Sequence, residues 1–313
     1  MNYFDLHCDT AYEMYHKKQP LGTNSLAVSL DSFDAYEKKA QVFAVWSENT
    51  KAPGDVYGDF FEIFENLKSE IAKNDDRAVL CTDAGALGMD DNRLKIIPAV
   101  EGSRLLENDI GRLTILRELG VRILTLAWGG ECPACGAFDT EIGLTDFGYE
   151  LVKSCEELGI IVDVSHMSEK AFWDLANVAT KPFIASHSNA GGICSHPRNL
   201  SDTQLRTVIS HGGIVGVNLV AEHLSKTFAE RAPDDPSAVT ETVVKHLVHF
   251  IEKGSEKNVC LGCDLDGTAP LIGLEKSADI QSIAACMRSH GAEETLIDDV
   301  FYGNAYRFFL KNL

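Results

Sequence analysis

Short apolar segments, rich in β-branched residues, recur along the whole chain. Most are nearly continuous in apolar character rather than alternating, which is typical of parallel strands that are covered on both faces. We predict eight strands from them: Phe4–Asp9, Gln41–Trp46, Ile96–Glu101, Arg122–Trp128, Ile160–His166, Phe183–Ser188, Gly213–Leu219 and Asn258–Asp266.

Helical patterns lie between most of these strands. Ser168 and Ser201 stand where N-caps are expected, and Gly159 stands where a helix is expected to end. We predict helices over Val56–Lys73, Gly148–Leu158, Ser168–Ala179, Ser201–His211, Val239–Lys253 and Ile280–Ser289. Two further stretches are predicted as surface loops: Lys17–Leu30 and Thr227–Ser237.

The alternation of eight strands with helices predicts a (β/α)8 TIM barrel that forms a single domain over residues 1–313. An open, doubly wound sheet is the alternative. The chain has no Gly-x-Gly-x-x-Gly after a strand and no phosphate-loop lysine motif, and this lowers the weight of that alternative.

The composition is ordinary for a globular protein but strongly acidic, with 28 Lys and Arg against 47 Asp and Glu and a formal charge of −19. Such a chain repels nucleic-acid backbones and anionic membrane surfaces, so we predict neither as a partner. No secretory signal and no membrane-spanning segment is predicted. The nine scattered cysteines favour reduced thiols and a cytoplasmic location.

Candidate chemistry lies at the ends of the predicted strands, where (β/α)8 barrels carry their active sites. Five of the eight ends bring His, Asp or Glu, which are ligands of divalent metals. Because residues two apart on a strand point to the same side, His7 and Asp9 should converge while Cys8 faces away. The five ends are His7-Cys8-Asp9, Glu101-Gly102, Asp163–His166, Ser186-His187-Ser188 and Asp264–Gly267.

The five candidate ligands are too many for one tetrahedral zinc ion. They suit two metals that are bridged by a carboxylate, about 3.5–4 Å apart, sharing a hydroxide and polarising a substrate carbonyl. The candidate ligands are His7, Asp9, Glu101, His166 and His187.

Seven motifs, in order along nearly the whole chain, resemble those of the renal (membrane) dipeptidase family. No single motif is decisive, but the set is specific. The family comprises zinc-dependent dipeptidases on an amidohydrolase-type barrel, and that fold and activity are what the resemblance implies. The motifs are Asp5–Asp9, Pro98–Gly102, Gly143–Gly148, Leu158–Ser168, Ser186–Ala190, Arg198–Leu200 and Gly262–Gly267.

The resemblance also implies roles for the candidate ligands. His7 and Asp9 would bind one Zn²⁺, His166 and His187 would bind the other, and Glu101 and a hydroxide would bridge the two ions.

Three further residues gain roles from the resemblance. It implies that Asp264 is the acid/base residue and that Arg198 receives the terminal carboxylate of the substrate, which suits the planar fork of a guanidinium. Trp128 stands where animal members have a histidine that stabilises the oxyanion. Its indole N–H could serve as a donor, or its ring could form a wall of the substrate pocket.

A Cys-x-x-Cys motif, Cys132–Cys135, follows the fourth predicted strand. It could be a redox pair or an additional metal clip. Without a second pair of cysteines beside it, a plain loop near the active-site mouth is the favoured interpretation.

The leading hypothesis is a cytoplasmic dinuclear zinc dipeptidase, a homodimer by family analogy, whose substrates extend to dipeptides with a D-residue at the C-terminal position. One alternative is another amidohydrolase that acts on a lactam, a lactone or an N-acyl amino acid. A second alternative is a binding protein that carries metal but does not catalyse.

Overall fold

The computed structural model describes residues 1–47 and 53–313. Its strands form one parallel sheet in the order β6-β5-β4-β2-β1-β8-β7, and β3 pairs with β4 outside this path. The strands are β1 (Tyr3–Cys8), β2 (Lys39–Trp46), β3 (Ala78–Leu80), β4 (Leu94–Glu101), β5 (Ile123–Thr125), β6 (Ile161–Asp163), β7 (Val215–Val217) and β8 (Val259–Leu261).

All six predicted helices are confirmed, with their ends shifted by three residues or fewer. The predicted caps explain several of these ends. The Ser168 hydroxyl accepts a hydrogen bond from the Ala171 N–H, Ser201 forms a capping box with Gln204, and Gly159 ends its helix with a φ of 66°. The α-helices are α1 (Thr10–Lys17), α2 (Pro53–Lys73), α3 (Ala84–Leu87), α4 (Ile110–Leu119), α5 (Asp146–Leu158), α6 (Glu169–Val178), α7 (Asp202–Ser210), α8 (Ala221–Leu224), α9 (Lys226–Glu230), α10 (Pro236–Lys253), α11 (Gln281–Ser289), α12 (Glu294–Asp298) and α13 (Asn304–Asn312). Short 3₁₀ turns cover Asp31–Phe33, Ser103–Leu106 and Ser277–Ile280, and a π turn covers Asp299–Gly303.

The strand prediction fails in three respects. The short strand β3 was missed, the segment Phe183–Ser188 forms isolated parallel bridges rather than a regular strand, and β5 to β8 end two to five residues before their predicted ends. The Ser186 N–H explains the second difference, because it donates to the Asp163 carboxylate at 2.9 Å instead of to a neighbouring strand. The segment still lies between β6 and β7, since Ile184 bridges to Asp163 and Ala185 bridges to Val215.

The predicted loop Thr227–Ser237 is wrong at both ends. Helix α9 covers most of its first half, and α10 begins at Pro236. Two side-chain caps cause this, because Ser225 accepts a hydrogen bond from the Thr227 N–H and Asp235 accepts one from the Ser237 N–H. The other predicted loop is confirmed, as the chain forms no regular element from the end of α1 to Leu30.

Alternate residues of the strands enter two hydrophobic clusters. The larger cluster packs the sheet against the helices. The smaller cluster combines strand residues such as Leu6, Val42 and Ile97 with the C-terminal helix α13, whose Phe309 ring stacks on Phe4 at 5.2 Å. In residues 1–47 and 53–313 no helix has the length and apolarity that crossing a membrane requires.

Candidate metal centre

The five predicted ligands come together at the carboxyl ends of the strands. The Glu101 carboxylate lies at their centre: its Oε1 is 2.9 Å from His166 Nε2 and 3.4 Å from His187 Nε2, and its Oε2 is 3.8 Å from His7 Nε2. Asp9 Oδ2 lies 3.4 Å from the same His7 nitrogen. One carboxylate therefore contacts histidines from three separate segments of the chain.

Three buried polar atoms in this cluster have no hydrogen-bond partner among the described residues: His7 Nε2, Asp9 Oδ1 and Glu101 Oε1. Buried polar atoms are almost always paired, so atoms of this kind need an explanation. Imidazole nitrogens and carboxylate oxygens are ligands of Zn²⁺, and ligand atoms of His7, Glu101 and His187 lie within 4.8 Å of one another. The donor set and the unpaired atoms fit a divalent metal ion.

Local backbone structure at β1 directs His7 into the cluster. The register between β1 and β2 shifts between Asp5 and Cys8, which marks a bulge. The buried Asp5 carboxylate supports it by accepting hydrogen bonds at 2.9 Å from the N–H groups of His7 and Cys263. As predicted, Cys8 faces away from the cluster, and both it and Cys263 lie in the larger hydrophobic cluster.

Two strand ends turn into the cluster through the left-handed region of φ/ψ space. His166 has a φ of 70° and Asp264 has a φ of 60°. Such conformations cost non-glycine residues about 1–3 kcal/mol each. Backbone hydrogen bonds hold both, because the His166 carbonyl accepts from the Phe138 N–H at 2.8 Å and the Asp264 N–H donates to the His7 carbonyl at 3.2 Å.

Hydrogen bonds to Nδ1 fix which nitrogen of two histidines is free to bind a metal. The Ser186 hydroxyl donates to Asp163 at 2.5 Å, so its oxygen accepts from His187 Nδ1–H at 2.7 Å. His166 Nδ1–H donates to the Trp128 carbonyl at 2.8 Å. Each ring therefore carries its proton on Nδ1 and presents the lone pair of Nε2 to the cluster, as metal ligands require.

Burial and mutual charge set the protonation of the candidate ligands. Burial lowers the pKa of His166 and of His187 far below the ordinary value, which keeps both rings neutral. Burial also disfavours the charged form of His7, but the carboxylates of Glu101 and Asp9 outweigh it and raise the His7 pKa to about 10. The carboxylate side of the cluster therefore favours a positive charge.

Arg198 and Asp264 lie beside the five ligands. Arg198 is 4% exposed, its Nη2 donates to the His187 carbonyl at 3.3 Å, and its Nε has no partner among the described residues. Asp264 Oδ1 lies 3.7 Å from His7 Nε2. Burial raises the Asp264 pKa to about 6, against the opposing effect of His7. Phe138, which the sequence analysis missed, places its ring 5.9 Å from the guanidinium carbon.

Trp128 joins the centre through its backbone. Its carbonyl accepts the hydrogen bond of His166, while its ring is 37% exposed and lies 5.0 Å from the ring of Trp46.

The Cys-x-x-Cys motif forms a tight turn, in which the Cys132 N–H donates to the Cys135 carbonyl at 3.0 Å. Both thiols are buried and free. Within the described parts of the chain, neither belongs to a group of residues whose ligand atoms lie close enough together to hold a metal ion.

Comparison with known proteins identifies the family. The model of the membrane dipeptidase family, peptidase family M19, matches residues 1–312. The chain belongs to this family. The protein is therefore a metallo-dipeptidase, an enzyme that hydrolyses a peptide bond. This confirms the family membership that the seven motifs indicated.

Two individual relatives match large parts of the chain. An uncharacterized protein in the pqqA 5′ region of Klebsiella pneumoniae is 34% identical over 273 residues, which are 83% of this chain and 98% of that protein. An uncharacterized dipeptidase of Schizosaccharomyces pombe is 30% identical over 224 residues, covering 69% of this chain and about half (52%) of the relative.

Solved structures of the same kind superpose on the whole chain. One is a metallo peptidase from Rhodobacter sphaeroides liganded with a phosphinate mimic of the dipeptide L-Ala-D-Ala, with a TM-score of 0.89, 25% identity and coverage of 100% of this chain and 99% of that one. Another is dipeptidase AC, a metallo peptidase of family M19, with a TM-score of 0.90, 25% identity and coverage of 100% and 98%.

Proposed function

We propose that this metallo-dipeptidase holds two Zn²⁺ ions at the strand ends and cleaves small dipeptides. His7 and Asp9 would hold one ion, His166 and His187 would hold the other, and the Glu101 carboxylate would contribute to both. The observation that carries this proposal is the central position of the Glu101 carboxylate, 2.9–3.8 Å from three histidine Nε2 atoms.

Two bound ions would supply a water of near-neutral pKa and would polarise the scissile carbonyl. The chain supplies the proton transfers and the alignment of the substrate. Asp264, buried beside His7, takes the proton of the nucleophile and returns it to the leaving amine. Trp128 lines the exposed side of the site.

Arg198 sets the length of the substrate. Its unpaired Nε–H and its remaining N–H groups match the two oxygens of a free carboxylate. Because the side chain is buried and hydrogen-bonded to the backbone of His187, the carboxylate is held at a fixed distance from Glu101 and its histidines. A dipeptide then presents its single peptide bond to the centre.

The range of substrates extends to a D-residue at the C-terminal position. The Rhodobacter sphaeroides relative, which is 25% identical and superposes on the whole chain, is liganded with a mimic of L-Ala-D-Ala. We therefore expect L-Ala-D-Ala and L-Ala-L-Ala to be useful paired substrates for this enzyme.

We further infer that the sheet closes into a (β/α)8 barrel. The bridges of Ile184 to β6 and of Ala185 to β7 support closure through the segment Phe183–Ser188. A glycine at position 262 supports it as well, because a Cβ there would lie 1.8 Å from the Ser186 carbonyl oxygen. The single domain over residues 1–313, the cytoplasmic location and the homodimer stay predictions.

Removal of metal tests the proposed function. Dialysis against a chelator is expected to abolish hydrolysis of L-Ala-L-Ala and L-Ala-D-Ala, and about two equivalents of Zn²⁺ per chain should restore it. Metal content and dipeptide turnover are measured on the same samples. Full activity in protein shown to be free of metal would refute the mechanism.

Substitution of Ser186 tests the hydrogen bonds behind one ligand. Ser186→Ala removes the acceptor that holds the Nδ1 proton of His187, so we expect zinc affinity to fall about 10–100-fold. A competition titration with a chromophoric chelator measures the affinity directly. Thr125→Val is the matched control, since the Thr125 hydroxyl also donates to Asp163, and among the hydrogen bonds of the described residues none joins it to His187. Equal zinc affinities in the wild type and in Ser186→Ala would show that the Ser186 hydrogen bond does not support His187 as a ligand.

A further inference from the structure

A second group of histidines lies beside Arg198 and belongs to none of the roles above. His196, Glu222 and His223 place ligand atoms within 4.8 Å of one another. The rings of His196 and His223 are 4.6 Å apart. His223 is buried and His196 is half-buried. The spacing alone would suit a metal ion. Whether the group can bind one depends on which nitrogen of each ring carries the proton, and the hydrogen bonds of the rings show this.

Both rings accept a hydrogen bond at Nδ1. The Arg198 backbone N–H donates to His196 Nδ1 at 3.2 Å, and Asn218 Nδ2 donates to His223 Nδ1 at 3.1 Å. The orientation of the Asn218 amide is fixed because its Oδ1 accepts from the Val220 N–H at 3.1 Å. In both neutral rings the proton is therefore on Nε2.

This pattern is the opposite of the one at the metal centre. His187 and His166 donate from Nδ1 and present a lone pair, whereas His196 and His223 present an Nε2–H. A ring with a protonated Nε2 cannot offer that nitrogen to a metal ion. The second group is thus a pair of hydrogen-bond donors. Burial, with a further contribution from Arg198, lowers the pKa of His223 to about 2, and this agrees with a neutral donor.

His196 lies beside the same aromatic ring as Arg198. The Phe138 ring lies 6.3 Å from the His196 ring, 6.2 Å from the His166 ring and 5.9 Å from the Arg198 guanidinium carbon. Arg198 has enough free N–H groups to bind both oxygens of the substrate's α-carboxylate by itself. The histidine donors are then available to another acceptor on the same end of the substrate.

Once the α-carboxylate compensates the charge of Arg198, the remaining charge beside the pair favours an uncharged acceptor. The acidic side chain of Glu222 places its Oε1 3.9 Å from His223 Nε2. A second carboxylate from the substrate would be repelled by Glu222, whereas a carboxamide or hydroxyl oxygen would accept the same hydrogen bonds without that penalty.

We propose that His196 and His223 form a specificity subsite for the side chain of the substrate's C-terminal residue, and that this subsite selects a neutral hydrogen-bond acceptor such as a carboxamide or a hydroxyl. The proposal rests on the proposed function, because it takes the α-carboxylate to be on Arg198. The chemistry adds two donors to the recognition of a dipeptide and involves no additional metal.

Three nearly isosteric substrates test the subsite: Ala-Asn, Ala-Leu and Ala-Asp, each with an L- and a D-residue at the C-terminus. For the zinc-loaded wild type we expect kcat/KM for Ala-Asn to exceed that for Ala-Leu and for Ala-Asp. His223→Phe should lower kcat/KM for Ala-Asn about tenfold and leave Ala-Leu nearly unchanged, since one hydrogen bond is lost. His223→Gln should restore part of the preference, because its amide N–H₂ replaces the Nε2–H.

Further variants separate the components. His196→Phe, on a half-buried side chain, provides a second test should His223→Phe fail to fold. Glu222→Gln should raise kcat/KM for Ala-Asp relative to Ala-Asn. His290→Phe changes an exposed histidine that contacts Glu241, and it should leave all three substrates unaffected.

The outcomes distinguish the two proposals. If the zinc-loaded wild type hydrolyses none of the dipeptides, the proposed function is wrong, and the subsite proposal falls with it. Turnover with the same Asn-to-Leu ratio in the wild type and in the histidine variants would overturn the subsite alone. An equal loss for all three substrates would also overturn it, since the histidines would then serve the α-carboxylate.

Discussion

Asp264→Asn is expected to lower kcat about 10²–10⁴-fold and to leave the zinc content unchanged. Asparagine has the size of aspartate but cannot take a proton from the nucleophile or return one to the leaving amine. The site also holds the replacement in place, because a Cβ at Gly267 would lie 2.3 Å from Asp264 Oδ1 and the side chain has little space to move. The loss should therefore be chemical rather than structural.

The measurement combines steady-state kinetics with metal analysis of the same preparation. Asp266→Asn is the matched control two residues along the chain. Asp266 accepts hydrogen bonds from the Thr10 hydroxyl at 2.6 Å and from the Ala27 N–H at 2.8 Å, so its change should reduce stability and keep turnover. Loss of zinc from Asp264→Asn would make Asp264 a metal ligand, since it shares a metal-spaced group with His7 and Asp9.

The meeting of the candidate ligands could be predicted from the sequence because their placement follows from local rules. His7, Asp9 and Glu101 stand at the ends of strands whose apolar character is continuous, and the ends of parallel strands meet on one edge of a sheet. The period of two residues along a strand separates His7 and Asp9 from Cys8, and the structure keeps this separation despite the bulge in β1.

Residues that reach the site through tertiary packing carry no such local signal. Phe138 lies in the loop after β5, and only the folding of that loop over His166 brings its ring to Arg198. The tautomers of His196 and His223 depend on an N–H two residues away and on an amide from the end of β7. Asp163 belongs to one of the predicted strand ends. Because residues two apart on a strand point to the same side, its spacing from Ser165 could have indicated that its carboxylate faces inward.

The fold was predicted less exactly where side chains replace backbone partners. Ser186 belongs to a segment that has the composition of a strand, but the Asp163 carboxylate takes its N–H and its hydroxyl. The ladder is interrupted at that point, and the same interruption positions His187. The hydrogen bonds of Ser186 to Asp163 therefore explain why the strand prediction is wrong here, and they also help to orient the predicted ligand His187.

Arg198→Ala is expected to lower kcat/KM for L-Ala-L-Ala about 10²–10³-fold, because the substrate carboxylate loses its buried cation. Arg198→Lys should recover only part of this loss, since an ammonium group lacks the planar fork. Arg206→Ala, on the exposed side of α7, serves as the control. An unchanged kcat/KM in Arg198→Ala would remove Arg198 from substrate binding.

The same variant separates the dipeptidase from the other amidohydrolases that the sequence left open. A neutral lactam or lactone has no carboxylate for Arg198, so its turnover should be the same in the wild type and in Arg198→Ala. N-acyl amino acids keep the carboxylate and should lose turnover as dipeptides do. A comparison of L-Ala-L-Ala with N-acetyl-L-alanine in the wild type then decides between these two classes, because only the first has a free amino group. If the acetylated compound were the better substrate, the enzyme would be an N-acyl amino acid hydrolase whose carboxylate is still bound by Arg198.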